Sequence, residues 1–227
     1  MMRGVFVTGT DTGIGKTTAA CALIAVLRAG GIACAPMKPV AAGASIKGPL
    51  RANEDSLALI HAAGWSTDTL DLVTPILLDA AMAPHIAAAR ERRIVSLAPI
   101  VAAFEALSRR APFVVAEGVG GFKVPLAPGL DSVELARTLA LPVVLVVGMR
   151  LGCLNHALLT RDAIERAGLP LAGWIANAID PAMAAPDENL EALRERLQAP
   201  LLGRLPFAPG ASPQALAAHL DPQPLLR

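Results

Sequence analysis

A glycine-rich run occupies residues Gly9–Thr18, which read GTDTGIGKTT. When such a run joins a strand to a helix, its backbone amides can cradle phosphate oxygens, and its glycines let the backbone approach closely. Lys16 would then reach the β- and γ-phosphates, and the Thr17 hydroxyl would bind Mg²⁺. Thr10 stands where the strict phosphate-loop pattern has glycine, so the loop is a variant whose Gly-Lys-Thr anchor is intact. The run predicts binding of a nucleoside triphosphate, with ATP favoured.

A magnesium site beside this loop needs carboxylates. Glu117 ends the apolar run FVVAE, where such an acid is expected. For a second acid, the spacing alone does not choose among Asp55, Glu54 and Asp11. Lys38 follows another apolar run, where its charge would suit an anionic reaction intermediate, although an ordinary surface lysine fits the bare sequence equally well.

The elements that must position these residues alternate along the chain, as in βαβ units with a mainly parallel sheet. The predicted strands are 4–8, 32–37, 113–117, 142–148, 171–177 and 200–205. The predicted helices are 17–29, 54–63, 84–92, 97–110, 132–139, 156–167 and 187–197. Residues 38–53 are predicted as a long loop, and the proline-rich tail 208–227 as mostly irregular. We therefore expect one α/β domain over 1–227, with a three-layer P-loop NTPase-like fold whose central sheet has about seven strands covered by helices on both faces.

In open parallel sheets, ligands bind beyond the carboxyl ends of the strands. The predicted strands end on polar residues or glycine at Gly9, Lys38, Glu117, Gly148 and Asn177. These ends should therefore meet at one edge of the sheet and form a phosphate site there.

The composition excludes several other classes of function. Lys and Arg number 20 against 19 Asp and Glu, and aromatic residues make up 3%, so the chain lacks the charge and stacking surfaces typical of nucleic-acid binding. The most apolar run, 139–149, contains proline and glycine and is much shorter than the ~20 residues of a membrane span. The three cysteines predict reduced thiols, and the N-terminus has no signal-peptide pattern. We expect a cytoplasmic protein that binds neither membrane nor nucleic acid.

Five co-linear motifs resemble those of the dethiobiotin synthetases. They lie at 7–17 (VTGTDTGIGKT), 38–43 (KPVAAG), 117–121 (EGVGG), 151–156 (LGCLNH) and 173–177 (GWIAN). The resemblance implies an ATP- and Mg²⁺-dependent carboxylase of biotin biosynthesis. Its substrates would be 7,8-diaminononanoate and CO₂ or bicarbonate, and its products dethiobiotin, ADP and phosphate. It also implies a homodimer in which 151–155 completes the neighbouring subunit's site.

The same resemblance assigns roles to individual residues. Lys16, Lys38 and Thr12 would be catalytic, and Mg²⁺ would be held by Thr17, Asp55 and Glu117. The expected nucleotide contacts are Thr10, Asp11, Gly13, Ile14, Gly15, Lys16, Thr17, Thr18, Glu117, Asn177 and Pro206, with Phe207 near the base. The expected substrate contacts are Thr12, Lys38, Ala42, Gly118, Gly120, Gly121, Leu151, Gly152, Cys153, Leu154 and Asn155.

Two departures from the resembled pattern concern the diamine end of the site, since Ala42 and Ala83 stand where that family commonly has serine.

Other interpretations of single residues and of the whole chain stay open at this point. Asn155 also fits a helix N-cap, and Asn177 also fits a strand-end turn residue. A nucleotide switch of the partition-ATPase type is disfavoured because Asp11 stands where those proteins have a second lysine. An amidoligase of the cobyrinate type usually carries a glutaminase domain, for which 227 residues leave no room.

Overall fold

The computed structural model describes residues 4–226, and for Lys47 the backbone alone. The strands are β1 Gly4–Gly9, β2 Cys34–Met37, β3 Val40–Ala42, β4 Ser45–Lys47, β5 Leu50–Ala52, β6 Ile76–Leu78, β7 Phe113–Glu117, β8 Pro125–Ala127, β9 Leu130–Asp131, β10 Val143–Met149, β11 Leu171–Ala178 and β12 Leu201–Leu205. The helices are α1 Lys16–Ala29, α2 Glu54–Ala63, α3 Leu70–Val73, α4 Pro84–Glu91, α5 Leu97–Arg110, α6 Ser132–Leu139, α7 Cys153–Arg166, α8 Pro186–Leu197 and α9 Pro213–Ala217.

The central sheet is parallel throughout and has the strand order β12-β11-β10-β1-β7-β2. It has six strands, against the expected number of about seven. Because the strands are parallel, the phosphate loop after β1 lies between the segments that follow β7 and β10. The order therefore brings the carboxyl ends of these strands to one edge, as the sequence predicted.

Alternate side chains of the sheet pack into separate hydrophobic clusters. Val5 and Val7 of β1 pack in a cluster with Leu23 of α1, whereas Phe6 between them packs with Ile100 of α5. Side chains of successive strand residues point to opposite faces. The sheet is thus buried on both sides by helices, which confirms the three-layer α/β fold.

The prediction of a continuous loop over residues 38–53 is wrong. Three short strands lie within it: β3 pairs in parallel with β6 in a small separate sheet, and β4 and β5 form an antiparallel hairpin. Gly48, with a φ of 62°, lies at the hairpin turn, where glycine adopts this backbone conformation without strain. The sequence signal was weak because each strand spans three residues, too few to establish an alternating pattern.

The described part of the tail, residues 208–226, is mostly irregular as predicted but also holds two short helices; Arg227 lies outside the described residues. Helix α9 begins after Ser212, whose hydroxyl accepts a hydrogen bond from the Ala215 amide at 3.2 Å. Leu216 and Leu225 are buried in the same cluster as α1, and a short 3₁₀ helix spans Gln223–Leu225. Prolines suggested irregular chain, but proline is compatible with the first turn of a helix.

No helix within residues 4–226 is both long and apolar enough to cross a bilayer.

Candidate active site

The phosphate loop leaves β1 at Gly9 and enters α1 at Lys16. Gly13 and Gly15 adopt φ values of 74° and 80°, in the left-handed region that glycine accepts without strain. A β-carbon built on Gly15 would lie 2.2 Å from the Asn177 side-chain nitrogen, so space as well as backbone conformation requires glycine there. The loop backbone is therefore fixed in a turn that leads directly into the N-terminus of a helix, an arrangement suited to phosphate.

Lys16 is the first residue of α1 and is 7% exposed. Its ammonium donates a hydrogen bond to the Asp11 backbone carbonyl at 2.6 Å. Burial lowers the pKa of Lys16 to about 8, partly opposed by the negative charge of Glu117. A bound triphosphate would favour the charged form of this lysine and so raise its pKa again.

Lys38 forms the centre of a buried charge cluster at the end of β2. Its ammonium lies 2.5 Å from Glu117 Oε1 and 3.1 Å from Asp55 Oδ2, and it donates to the Gly118 carbonyl at 3.2 Å. The Thr17 hydroxyl donates to the same Glu117 oxygen at 2.9 Å. The residues predicted from four separate sequence segments are thus in direct contact.

Electrostatics keep this lysine charged. Burial alone would lower the pKa of Lys38, but the carboxylates of Glu117 and Asp55 outweigh it and raise the pKa above its ordinary value. Lys38 is therefore a fixed cation at neutral pH, held at the inner end of the cleft described next. Of the acids that spacing left open, Asp55 contacts Lys38, whereas Asp11 faces Arg150.

A cleft of about 730 Å³ opens between the phosphate loop and the small β3–β6 sheet. The predicted site residues that line it are Thr12, Gly13, Gly15, Lys16, Thr17, Thr18, Lys38, Ala42, Asp55, Glu117 and Gly120. The remaining wall is mostly apolar and is formed by Ala41, Ala81, Met82, Ala83, Pro84, Val119 and Val124, with Asn53 beside them. One end of the cleft is therefore charged and the other suits a hydrocarbon chain.

The donor set fits a magnesium ion. Glu117 Oε2 is buried and has no hydrogen-bond partner, although such atoms are nearly always satisfied in folded proteins. With the Thr17 hydroxyl and the Asp55 carboxylate, it provides the oxygen ligands that Mg²⁺ prefers. No group of three or more His, Cys, Asp or Glu side chains suited to a metal occurs in the part of the chain that the structure describes. Mg²⁺ is usually bound by one or two carboxylates together with substrate phosphates and water, so those ligands would complete the coordination.

The other predicted residues lie outside this cleft: Thr10, Asp11, Ile14, Asn177, Pro206, Gly118, Gly121 and the segment 151–155. Asn177 is buried near the end of β11, and its side-chain amide donates a hydrogen bond to the Ile14 carbonyl at 2.7 Å. This hydrogen bond holds the phosphate loop against β11. Leu205 pairs with Asn177, so Pro206 follows β12 at the same edge of the sheet.

The segment 151–155 lies on the surface after β10, and Leu151 is 94% exposed. Helix α7 begins at Cys153, three residues earlier than predicted, with Gly152 as its N-cap. The reading of Asn155 as a helix N-cap is therefore wrong, since Asn155 is an exposed residue of the first helical turn.

Sequence reasoning missed two residues that organise the site. Asn53 caps α2 by accepting a hydrogen bond from the Asp55 amide at 3.0 Å, and its amide donates to the Ala42 carbonyl at 3.0 Å. An asparagine before Glu-Asp at a helix start was an available signal. Arg150 binds Asp11 at 2.6 Å, a contact between segments 139 residues apart that no local pattern indicates.

Comparison with solved structures supports the fold. The chain is similar to a ParA family ATPase from Chlorobium tepidum TLS, with a TM-score of 0.54 and 14% identity over 96% of this chain and 90% of that one. It is also similar to the MinC:MinD cell division protein complex of Aquifex aeolicus, with a TM-score of 0.52 and 14% identity over 91% and 82%. The family model described as AAA domain (AAA_26) matches residues 3–215. The fold and the phosphate loop together define a P-loop nucleotide-binding protein.

Relatives in sequence show which family of P-loop nucleotide-binding proteins the chain belongs to. The chain is 55% identical to a protein of Aromatoleum aromaticum (96% of each chain), 52% to one of Xylella fastidiosa strain 9a5c (98% of each) and 49% to one of Ralstonia nicotianae (97% and 96%), each named ATP-dependent dethiobiotin synthetase BioD. The chain belongs to the ATP-dependent dethiobiotin synthetase family. The resemblance and the enzyme class predicted from sequence, an ATP-dependent ligase forming carbon–nitrogen bonds, are confirmed.

Proposed function

We propose that the protein converts 7,8-diaminononanoate, CO₂ and ATP to dethiobiotin, ADP and phosphate in a Mg²⁺-dependent reaction. The observation that carries this proposal is the contact of Lys38 with Glu117 and Asp55 beside the phosphate loop, in a cleft with an apolar far wall. The name of relatives about half identical to the chain, ATP-dependent dethiobiotin synthetase, supports the proposed product and the use of ATP.

The reaction divides into three steps. One substrate amine adds to CO₂ and loses a proton, which gives a carbamate. A carbamate oxygen then attacks the γ-phosphorus, and the bond to the ADP oxygen breaks. The second amine attacks the carbonyl carbon of the resulting anhydride, the carbon–oxygen bond breaks, and phosphate leaves as the ureido ring closes with loss of a proton.

The residues of the cleft can lower the barrier to the phosphoryl-transfer step, in which one anion must approach another. Lys16 and Lys38 supply positive charge at the two sides of the phosphate loop, and Lys38 is held in place by its carboxylate partners. Fixed charges in a buried site need little reorganisation during reaction, which makes their stabilisation effective. Thr12 lines the same cleft and would contact the diamine or the carbamate. Bringing the reactants together in this way can contribute about 7–11 kcal/mol.

Thr17, Asp55 and Glu117 would hold Mg²⁺, which would neutralise phosphate charge and orient the triphosphate. Glu117 already accepts a hydrogen bond from the Thr17 hydroxyl and forms an ion pair with Lys38. Both neighbours meet Oε1, whereas Oε2 is unpartnered. The carboxylate therefore has one oxygen available without loss of either contact.

The two ends of the site extend beyond the cleft. Asn177, which donates to the Ile14 carbonyl of the phosphate loop, and Pro206, which follows β12 at the same sheet edge, would receive the adenine. The segment 151–155 would bind the diamine carboxylate of a neighbouring subunit in a homodimer, since backbone amides at the start of α7 favour anions. With buried free thiols at Cys21, Cys34 and Cys153, the proposed location is the cytoplasm.

Ala42 and Ala83 line the apolar part of the cleft, so neither offers the hydroxyl common in the resembled family. Thr12 would then provide the side-chain hydroxyl contact to the substrate amines. A hydrogen bond to a charged group contributes roughly 1.5–3 kcal/mol, so Ala42→Ser should lower the KM for the diamine if the added hydroxyl reaches it.

Oxygen tracing tests the proposed route. With ¹⁸O-labelled CO₂, one labelled oxygen should appear in the released phosphate and one in the ureido carbonyl, because the carbamate oxygen that attacks phosphorus leaves with it. Unlabelled phosphate formed together with dethiobiotin would refute the carbamic–phosphoric anhydride.

The role of Lys38 has a separate test. In samples shown by circular dichroism to be folded under the assay conditions, Lys38→Met should keep the ATP dissociation constant within about threefold while product formation falls by more than ~100-fold. Arg137→Met serves as the control because its ion pair with Glu134 lies on the exposed face of α6, away from the cleft. Equal losses of ATP affinity and turnover would assign Lys38 to nucleotide binding instead.

A further inference from the structure

The carboxylate of Asp11 joins the phosphate loop to the segment after β10. Its Oδ1 accepts a hydrogen bond from the Thr12 amide at 2.7 Å, and its Oδ2 accepts one from Arg150 Nη2 at 2.6 Å. The backbone carbonyl of the same residue accepts the Lys16 ammonium at 2.6 Å. One residue thus contacts both predicted catalytic residues of the loop and an arginine from another element.

The strand order explains why these segments meet. β1 and β10 are adjacent and parallel, with Gly9 paired to Val146, and the Thr10 amide donates to the Val146 carbonyl at 3.1 Å. Both strands end at the same edge, so the loop after β1 and the turn after β10 leave the sheet side by side. Arg150 occupies the first position after β10.

Arg150 is also the first residue of the turn that presents 151–155. Its carbonyl accepts a hydrogen bond from the Cys153 amide at 3.0 Å, and Gly152, with φ at 92°, completes the turn into α7. The side chain of Arg150 therefore faces the phosphate loop while its backbone sets the orientation of the following residues. Displacing either part moves the other.

We propose that Arg150 is a positioning residue that couples the phosphate loop to the 151–155 segment through Asp11. This inference rests on the proposed function, in which 151–155 binds the carboxylate of the partner's diamine and Thr12 contacts its amines. Within one subunit, the Asp11–Arg150 ion pair fixes the Thr12 amide relative to the turn 151–155. In the proposed dimer, that turn binds the carboxylate of the diamine held by the neighbouring subunit. The ion pair thereby sets the distance between the phosphate sites and carboxylate sites of the dimer.

Folding stability does not account for the pair. The Arg150 and Asp11 side chains are 43% and 45% exposed, and ion pairs this open to solvent add little to the stability of a fold. Substitutions here should leave the protein folded, which allows their effect on the reaction to be measured directly.

The test uses the full chain with ATP, Mg²⁺, bicarbonate and 7,8-diaminononanoate. Arg150→Met should raise the KM for the diamine about three- to fivefold, which is the most that loss of an ion pair this exposed can contribute. ATP affinity, measured by calorimetry without diamine, should change by less than about threefold in Arg150→Lys, which keeps a cation beside Asp11 and leaves the phosphate loop itself unaltered. Arg150→Lys should recover part of the diamine KM, since it restores a cation without the planar fork of arginine.

The double variant D11N/R150M separates positioning from simple charge neutralisation. If Arg150 only cancels the charge of Asp11, D11N/R150M should regain the wild-type diamine KM, and this result would overturn the proposal. An unchanged diamine KM in Arg150→Met would overturn it as well. Arg137→Met, which breaks another exposed ion pair, is the matched control and should match wild type. If the wild-type protein makes no dethiobiotin, the proposed function fails; if it does and the variants behave as wild type, the coupling alone fails.

Discussion

Replacing Lys38 by methionine should strongly destabilise the protein, because it leaves the Glu117 carboxylate buried without its nearest cation. The two side chains are 4% and 1% exposed, so solvent does not compensate for the loss. Removing one partner of a buried ion pair typically costs about 3–5 kcal/mol. The contact of Lys38 with Asp55 adds little to this figure, because the Asp55 side chain is 44% exposed.

Urea unfolding in metal-free buffer at pH 7 measures the effect. The buried indole of Trp174 reports on the core beside β10. Glu117→Gln in the Lys38→Met background should restore most of the lost stability, since it removes the unpaired charge while keeping the shape of the side chain. The pair would then show a coupling free energy of about 2–3 kcal/mol in a double-mutant cycle.

Two results would refute this reasoning. A loss below about 1 kcal/mol in Lys38→Met would mean that Glu117 is solvated or neutral without its partner. Additive losses in the double variant would mean that the two side chains contribute separately, for example through packing, and that the ion pair does not organise the site.

Three further predictions follow from the loop and the tail. Burial lowers the pKa of Lys16 to about 8, and bound phosphate raises it again. ATP binding at pH 8.5–9 should therefore take up protons, and ATP affinity should fall as the pH rises above about 8. Calorimetry in buffers of different ionisation heat measures the proton uptake, and its absence would contradict this prediction. Gly15→Ala should lower the affinity for ATP by more than about tenfold, because the added methyl would lie 2.2 Å from the Asn177 side chain and the φ of 80° disfavours alanine. Gly31→Ala is the control for backbone strain alone, because Gly31 has a φ of 82° but open space around it. Leu216→Ala should lower the free energy of unfolding by about 2–5 kcal/mol in urea titrations, and an effect under about 0.5 kcal/mol would show that α9 does not belong to the core.

The sequence best predicts those site residues that lie at the carboxyl end of a buried strand. Lys38 and Glu117 terminate buried apolar runs, and a parallel sheet brings such ends together whatever the details of its helices. The contact of Asp55 with Lys38 was not predictable in this way. It depends on the cap formed by Asn53, which fixes where α2 starts and how its first turn faces Lys38.

The missed elements have a common physical cause. Strands β3 to β5 span three residues each, so their conformation comes from pairing with distant partners rather than from a local pattern. Helix α9 has only five residues and is held by burial of Leu216 in the same cluster as α1. The contact of Asp11 with Arg150 depends on β1 and β10 being neighbours, which the order of strands along the chain does not reveal.

The most direct measurement of the central claim is the ratio of dethiobiotin to ADP formed by the purified protein. With ATP, Mg²⁺, bicarbonate and 7,8-diaminononanoate, the proposed reaction yields one dethiobiotin for each ADP, and ADP release stops when the diamine is omitted. ATP hydrolysis that proceeds at the same rate with and without diamine, and without dethiobiotin, would contradict it.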